Sequence, residues 1–141
     1  MPATWTSAFR WHAWEIMIAG AIGALAGLFI LASDPTTAIG CIGFFGGGGL
    51  VGYSYLMPRV RFETSGGENV LRVNRSALTL RAFAAAVTSL GIILLGGRFT
   101  FEPLATLTAY AFGGIGLITA AVLASKLNLP TMAVFDAHGV R

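Results

Sequence analysis

Long uncharged apolar stretches alternate with short polar breaks along this chain. Residues 16–32, 38–57 and 104–125 hold no charged side chain and run for 17, 20 and 22 residues. Residues 82–97 add a fourth stretch of 16, which reaches 20 if it begins at Leu78 and includes Arg81. A hydrocarbon core about 30 Å thick is crossed by about 20 helical residues. The pattern predicts an all-α integral membrane protein with four transmembrane helices.

The breaks differ in character. Ser33-Asp34-Pro35-Thr36-Thr37 and the segment Arg98 to Pro103 are short, so the helices pair into two hairpins, residues 16–57 and 78–125. Pro35 and Pro103 suit the first turn of a helix, where a backbone N–H has no intrahelical partner to lose. Residues 58–77 form a longer loop with alternation of period two in Arg59-Val60-Arg61-Phe62-Glu63-Thr64 and in Leu71-Arg72-Val73-Asn74. With Ser65-Gly66-Gly67-Glu68-Asn69 as turn, this predicts a small cytoplasmic β-hairpin between helices 2 and 3, with Val60, Phe62, Leu71 and Val73 on one face. A lone hairpin is marginal in water. The alternating tail residues Thr131 to Asp136, or a partner protein, are expected to add a covering strand.

Residues 1–15 are read as an interfacial segment, because Trp5, Phe9, Trp11 and Trp14 stand beside Arg10 and His12, and tryptophan favours the headgroup level. A cleaved signal peptide is the competing reading. The first apolar stretch exceeds the usual length of about 7–15 residues, and Leu31-Ala32-Ser33 is a poor cleavage site. The whole of 1–141, with residues 126–141 as a cytoplasmic tail, is expected to be a single membrane domain.

Composition agrees with this picture. Of 141 residues, 55% are hydrophobic and only 11% charged, too few charges to cover a soluble domain of this size. Mean hydropathy is +0.76. A disordered chain, a disulfide scaffold and a soluble DNA-binding domain are excluded. The lone Cys41 lies in an apolar stretch and reads as a packing residue.

Positive charge supplies orientation. Arg10, Arg59, Arg61, Arg72, Arg75, Arg81, Lys126 and Arg141 fall on one side of the four spans and Arg98 alone on the other. The asymmetry predicts that both termini and the central loop are cytoplasmic, in a bacterial inner membrane. Arg59, Arg61, Arg72 and Arg75 are expected to bind lipid headgroups or an acidic partner, since the cytoplasmic leaflet is negative. Nucleic acid is not an expected partner.

The second and fourth spans share a string. Phe45-Gly46-Gly47-Gly48-Gly49-Leu50-Val51 aligns with Phe112-Gly113-Gly114-Ile115-Gly116-Leu117-Ile118. The two hairpins read as duplicated modules of the same orientation, a parallel repeat. Ser89-Leu90, Phe112-Gly113, Pro130, and Asp136 to Gly139 with Val140 make the second half resemble small bacterial membrane proteins in which a transmembrane hairpin leads into a pleckstrin-homology-like domain. The resemblance implies a hairpin architecture and supplies no catalytic residue.

Glycine is the most telling residue type, with 19 positions. Gly40, Gly43, Gly46, Gly49 and Gly52 recur every third residue, and Gly47 and Gly48 add to them. At 3.6 residues per turn a period of three drifts by about 60° per step, so the glycines spread over a broad face. Small residues let helix backbones approach in a solvent that supplies no hydrophobic drive. Gly20, Gly23 and Gly27 in the first span, Gly43, Gly47, Gly48 and Gly52 in the second, and Gly113 and Gly116 in the fourth are the expected packing positions. A phosphate-cradling loop would need a following Lys-Ser/Thr, which is absent. A break of the second helix at Gly46 to Gly49 stays open, because each glycine weakens helix formation by about 1 kcal/mol.

Chemistry-bearing residues do not converge. No span has an ionisable group in its central turns, where transport paths place them. Glu15 precedes the first apolar stretch, unlike the membrane-embedded glutamate of small multidrug transporters, and Arg81 is expected to snorkel to the interface. His12 and Glu15 are three apart, one ligand short of a catalytic metal site. No catalytic residue, cofactor or metal is expected. Three readings follow: a non-enzymatic subunit, scaffold or assembly factor in a homo-oligomer or larger membrane complex; a small transporter or channel with a glycine-lined path; and, least supported, a membrane enzyme.

Overall fold

The computed structural model describes residues 4–58, 60–65, 68–98, 102–128, 132–136 and 139–140, and side chains for 12–58, 60, 70–98 and 102–128. It is mostly helical, with four helices long and apolar enough to cross a membrane: His12–Phe29, Pro35–Leu56, Arg75–Gly96 and Pro103–Asn128. The first lies within α1 (Thr4–Phe29), so the aromatic N-terminal residues continue the helix as extra turns.

The second span has three parts: α2 (Pro35–Cys41), a π-helical turn (Ile42–Gly46) and α3 (Gly47–Leu56). Asp34 caps its start, accepting from the Thr37 N–H at 3.2 Å and the Thr37 hydroxyl at 2.6 Å. Both Gly46 and Gly47 keep right-handed helical dihedrals. The chain therefore stays helical through the glycine run, and the departure from α geometry ends at its first residue, Gly46. A π turn inserts an extra residue and re-aims the side chains beyond it.

The third span, α4 (Arg75–Gly96), begins three residues earlier than the hydropathy pattern suggested, because the Asn74 side chain caps it through the Ala77 N–H at 3.4 Å. The fourth, α5 (Pro103–Ser125), runs into a 3₁₀ turn at Lys126–Asn128. Among the described residues, α1 packs on the second span, the second span also packs on α4, and α5 packs on α4 alone of the other three spans. The order across the layer is one, two, three, four, so the second and third spans each have a helix on both sides.

At the end of the molecule where α3 stops, β1 (Val60–Ser65), β2 (Glu68–Val73), β3 (Met132–Asp136) and β4 (Gly139–Val140) form an antiparallel sheet in sequence order. The tail strand β3 adds beside β2, not β1. The burial pattern corrects the expected apolar face. Val60 and Val73, paired across β1 and β2, are 37% and 40% exposed, whereas Val70 on the opposite alternation is 6% exposed. Val70 sits in an inner strand, opposite Glu63 on one side and Val134 on the other.

Candidate functional site: glycine faces and a polar clamp

The second span is where two glycine faces meet. Toward α1, a methyl placed on Gly20 would lie 2.6 Å from Cα and N of Gly49 and 2.6 Å from the Phe45 carbonyl oxygen. One on Gly52 would lie 2.8 Å from the Ala13 carbonyl oxygen, and one on Gly27 3.2 Å from that of Ala38. Gly23 lies under the Phe45 ring. Toward α4, a methyl on Gly43 would lie 3.2 Å from Cα of Gly91, one on Gly47 2.6 Å from N of Thr88, and one on Gly40 2.9 Å from the Leu95 side chain. Backbone thus lies against backbone on both sides of one helix, closer than any side chain permits.

The geometry explains the spacing. Residues 38, 42, 45, 49 and 52 face α1, while 40, 43 and 47 face α4, each set following the alternating three and four steps of one helix face. A strict period of three drifts across both sets. Gly40 and Gly43 serve the α4 side; Gly49 and Gly52 serve the α1 side. Gly48 corrects the expectation placed on it: nothing among the described residues lies within 4 Å of a methyl there. It falls between the two faces, on neither. In the fourth span Gly113 faces Ile93 and the Ser89 carbonyl, and Gly116 faces the Ser89 side chain.

The hydroxyls around these contacts are satisfied locally. Thr88 donates to the Ala84 carbonyl at 2.8 Å, Ser89 to that of Ala85 at 2.6 Å and Ser54 to that of Val51 at 2.7 Å. They contribute small bulk without an unpaired donor.

A polar clamp closes the end of the second span. In an α-helix the N–H of residue 58 would bond the carbonyl of residue 54. Pro58 has no N–H, and it forces Met57 into extended geometry, with ψ of 141°. The Ser54 carbonyl accepts instead from Arg81 Nη2 at 3.0 Å, and the Arg81 guanidinium lies 4.9 Å from the centre of the Tyr55 ring. The Pro58 carbonyl accepts from Asn74 Nδ2 at 2.9 Å. Arg81 thus reaches across to the end of the second span and ties the third span to it. The sequence signal was Pro58, which announces an orphan carbonyl four residues earlier.

The opposite end is tied by Arg98, which donates to Asp34 Oδ1 at 2.5 Å. The hydrogen bonds from Thr37 and then the nearby Arg98 charge hold the Asp34 carboxyl below its ordinary value.

The other predicted residues are dispersed. Arg59 lies outside the described residues. Arg61 stands opposite Arg72 in the β1–β2 register, and Arg72 is exposed. Arg75 belongs to the first turn of α4 and not to the sheet, and is exposed. His12 Nδ1 lies 3.0 Å from Glu15 Oε2 on an exposed helix face. Among the described residues no group of three or more metal-ligating side chains exists. A groove of about 280 Å³ between the second, third and fourth spans is lined by Phe44, Ile92, Leu95, Gly96, Ala109 and Phe112.

No family model, no curated protein and no solved structure matches this chain.

Proposed function

We propose that this protein is a non-enzymatic four-span membrane subunit, scaffold or assembly factor. The observation that carries the reading is the backbone-to-backbone seating of the second span between α1 and α4, at Gly20–Gly49 and Gly43–Gly91. Such contacts give a fixed arrangement of helices through van der Waals packing. They fill with backbone the space that a glycine-lined conducting path would need. The orientation places both termini, the sheet and the basic residues Arg59, Arg61, Arg72 and Arg75 at the cytoplasmic face of a bacterial inner membrane. There they engage headgroups or an acidic partner, while the two helix pairs act as duplicated modules within a homo-oligomer or larger complex.

Isolation in mild detergent tests the reading. A defined complex that survives purification, and that Gly47→Leu dissociates, is the expected result. Solute flux from vesicles reconstituted with the purified chain, or assembly and abundance untouched by Gly47→Leu, overturns it. Reporter fusions at Arg141 and near Thr36 should report opposite sides, and a periplasmic carboxyl end contradicts the orientation.

A further inference from the structure

The two hairpins pack alike. Between α1 and the second span, Gly20 meets Gly49, Ala24 meets Gly46 and Gly27 meets Ile42. Between α4 and α5, Ser89 meets Gly116, Ile93 meets Gly113 and Gly96 meets Ala109. Each α4 residue of these pairs lies 69 positions after its counterpart in α1, and each α5 residue lies 67 positions after its counterpart in the second span. The second shift is also the offset of the shared Phe-Gly string.

The contact that joins the hairpins has no such counterpart within the chain. There Gly40 lies against Leu95, Gly43 against Gly91 and Gly47 against Thr88. The same shifts carry the three glycines to Leu107, Tyr110 and Gly114 of α5, and their α4 partners to Ala26, Ile22 and Ala19 of α1. Both sets are open. Leu107 is 66% exposed, Tyr110 45% and Ile22 64%; Ala19 and Ala26 are exposed, and no described residue lies within 4 Å of a methyl on Gly114. We propose that this face of α5 takes α1 of a second copy of the chain, so that the row of spans continues from one chain into the next. The inference rests on the reading of the protein as a self-assembling membrane subunit.

Helix direction selects this occupant. At every junction of the row, contact positions rise along one helix as they fall along the next, so neighbours are antiparallel throughout. α1 and α5 therefore run in opposite directions. With α1 of a second copy beside α5 the alternation continues, and both chains keep the same end toward the same side of the membrane. Two α5 helices side by side, in chains of the same orientation, would run the same way, as no neighbours in the row do. Side-chain size follows the pattern at two positions of three. Gly40 against Leu95 becomes Leu107 against Ala26, with the large side chain moved across. Gly47 against Thr88 becomes Gly114 against Ala19, both small enough for close approach. Tyr110 against Ile22 sets two large side chains where Gly43 meets Gly91, so the helices are farther apart there. The contact between chains is thus weaker than its counterpart within the chain. It joins unlike faces, and such head-to-tail contacts generate a ring when the rotation closes.

Cysteine pairing in the membrane tests the contact, on full chains carrying Cys41→Ala. Two differently tagged versions, one with Ala19→Cys and the other with Gly114→Cys, are co-expressed and oxidised. A disulfide joining the two versions is expected, with neither version pairing with itself. Ile115→Cys in place of Gly114→Cys, about 100° round the helix, should lower the yield. One chain carrying both Ala19→Cys and Gly114→Cys should give products larger than a dimer. Gly114→Leu should convert the assembly in mild detergent to single chains that keep their helix content, because no described residue of the chain crowds that position. Self-pairing of Gly114→Cys equal to the mixed pairing, or mixed pairing no better than that with Ile115→Cys, overturns the proposal. An assembly with another protein that Gly114→Leu leaves intact overturns it as well, and leaves the subunit reading in place. A chain that is single in mild detergent and forms none of these cross-links in the membrane overturns both.

Discussion

Adding one methyl group at Gly20 should loosen the first and second spans measurably. In Gly20→Ala the new Cβ would lie 2.6 Å from three backbone atoms, Gly49 Cα, Gly49 N and the Phe45 oxygen. Ordinary carbon contacts begin at about 3.5 Å, so a helix backbone has to retreat by close to 1 Å. No flexible side-chain end is present to yield. Overpacking of this kind costs about 1–3 kcal/mol. Alanine regains about 1 kcal/mol of helix propensity over glycine. The net expectation is a loss of up to about 2 kcal/mol. Gly48→Ala isolates the propensity part, because nothing among the described residues lies within 4 Å of its new methyl. It should be neutral or stabilising by up to about 1 kcal/mol. Unfolding in mixed detergent micelles, followed by circular dichroism, measures both. Equal stability changes in the two variants, or a Gly20→Ala protein more stable than the parent, would refute the close approach of the backbones.

The polar clamps yield three further tests. Arg81→Met keeps the aliphatic stem but leaves the Ser54 carbonyl without its donor, and should destabilise the protein by about 1–3 kcal/mol in the same unfolding assay; a neutral result would show that another donor replaces it. Tyr55→Leu, which removes the ring beneath the guanidinium together with its hydroxyl, should cost at least about 0.5 kcal/mol. The Asp34 carboxyl is held below its ordinary value of 3.8 by Thr37 first and Arg98 after it. Its stabilising contribution is therefore complete above that value and is lost as pH falls through the lowered folded value. Unfolding midpoints measured from about pH 6 to about pH 2 should fall more in the parent than in Asp34→Asn, and parallel curves would rule the linkage out.

Four long apolar helices were legible because uncharged runs of sufficient length admit few other structures. The two proline-led starts were legible for a similarly local reason, since Pro35 and Pro103 occupy positions where no N–H is needed. What the pattern could not give is which neighbour each glycine meets. Gly47 and Gly48 are adjacent and chemically identical, yet one lies against Thr88 and the other against nothing described. That difference depends on helix phase, and the π turn at Ile42–Gly46 shifts the phase by an amount no hydropathy pattern encodes. The reach of Arg81 to Ser54 was hidden differently. Hydropathy treats the residue as a charge seeking water, while the carbonyl that it reaches becomes an orphan only through Pro58, 23 positions earlier in the chain. The joining of β3 to β2 is a pairing across more than 60 residues, which period-two alternation within one segment does not specify.

The central claim is that the first and second spans meet backbone to backbone in one chain, and a single substitution tests it. A Cβ placed on Gly27 would lie 3.2 Å from Cβ of Cys41, close to the roughly 3.5–4.5 Å that disulfide-bonded residues show. Cys41 is the one native cysteine. Gly27→Cys, oxidised in the membrane and analysed by mass spectrometry, should form an intramolecular disulfide with Cys41 and leave no free thiol. Gly114→Cys, on the far helix of the row, should leave both thiols free. Two reactive thiols in oxidised Gly27→Cys, or a disulfide joining two chains in its place, would contradict the packing on which the account depends.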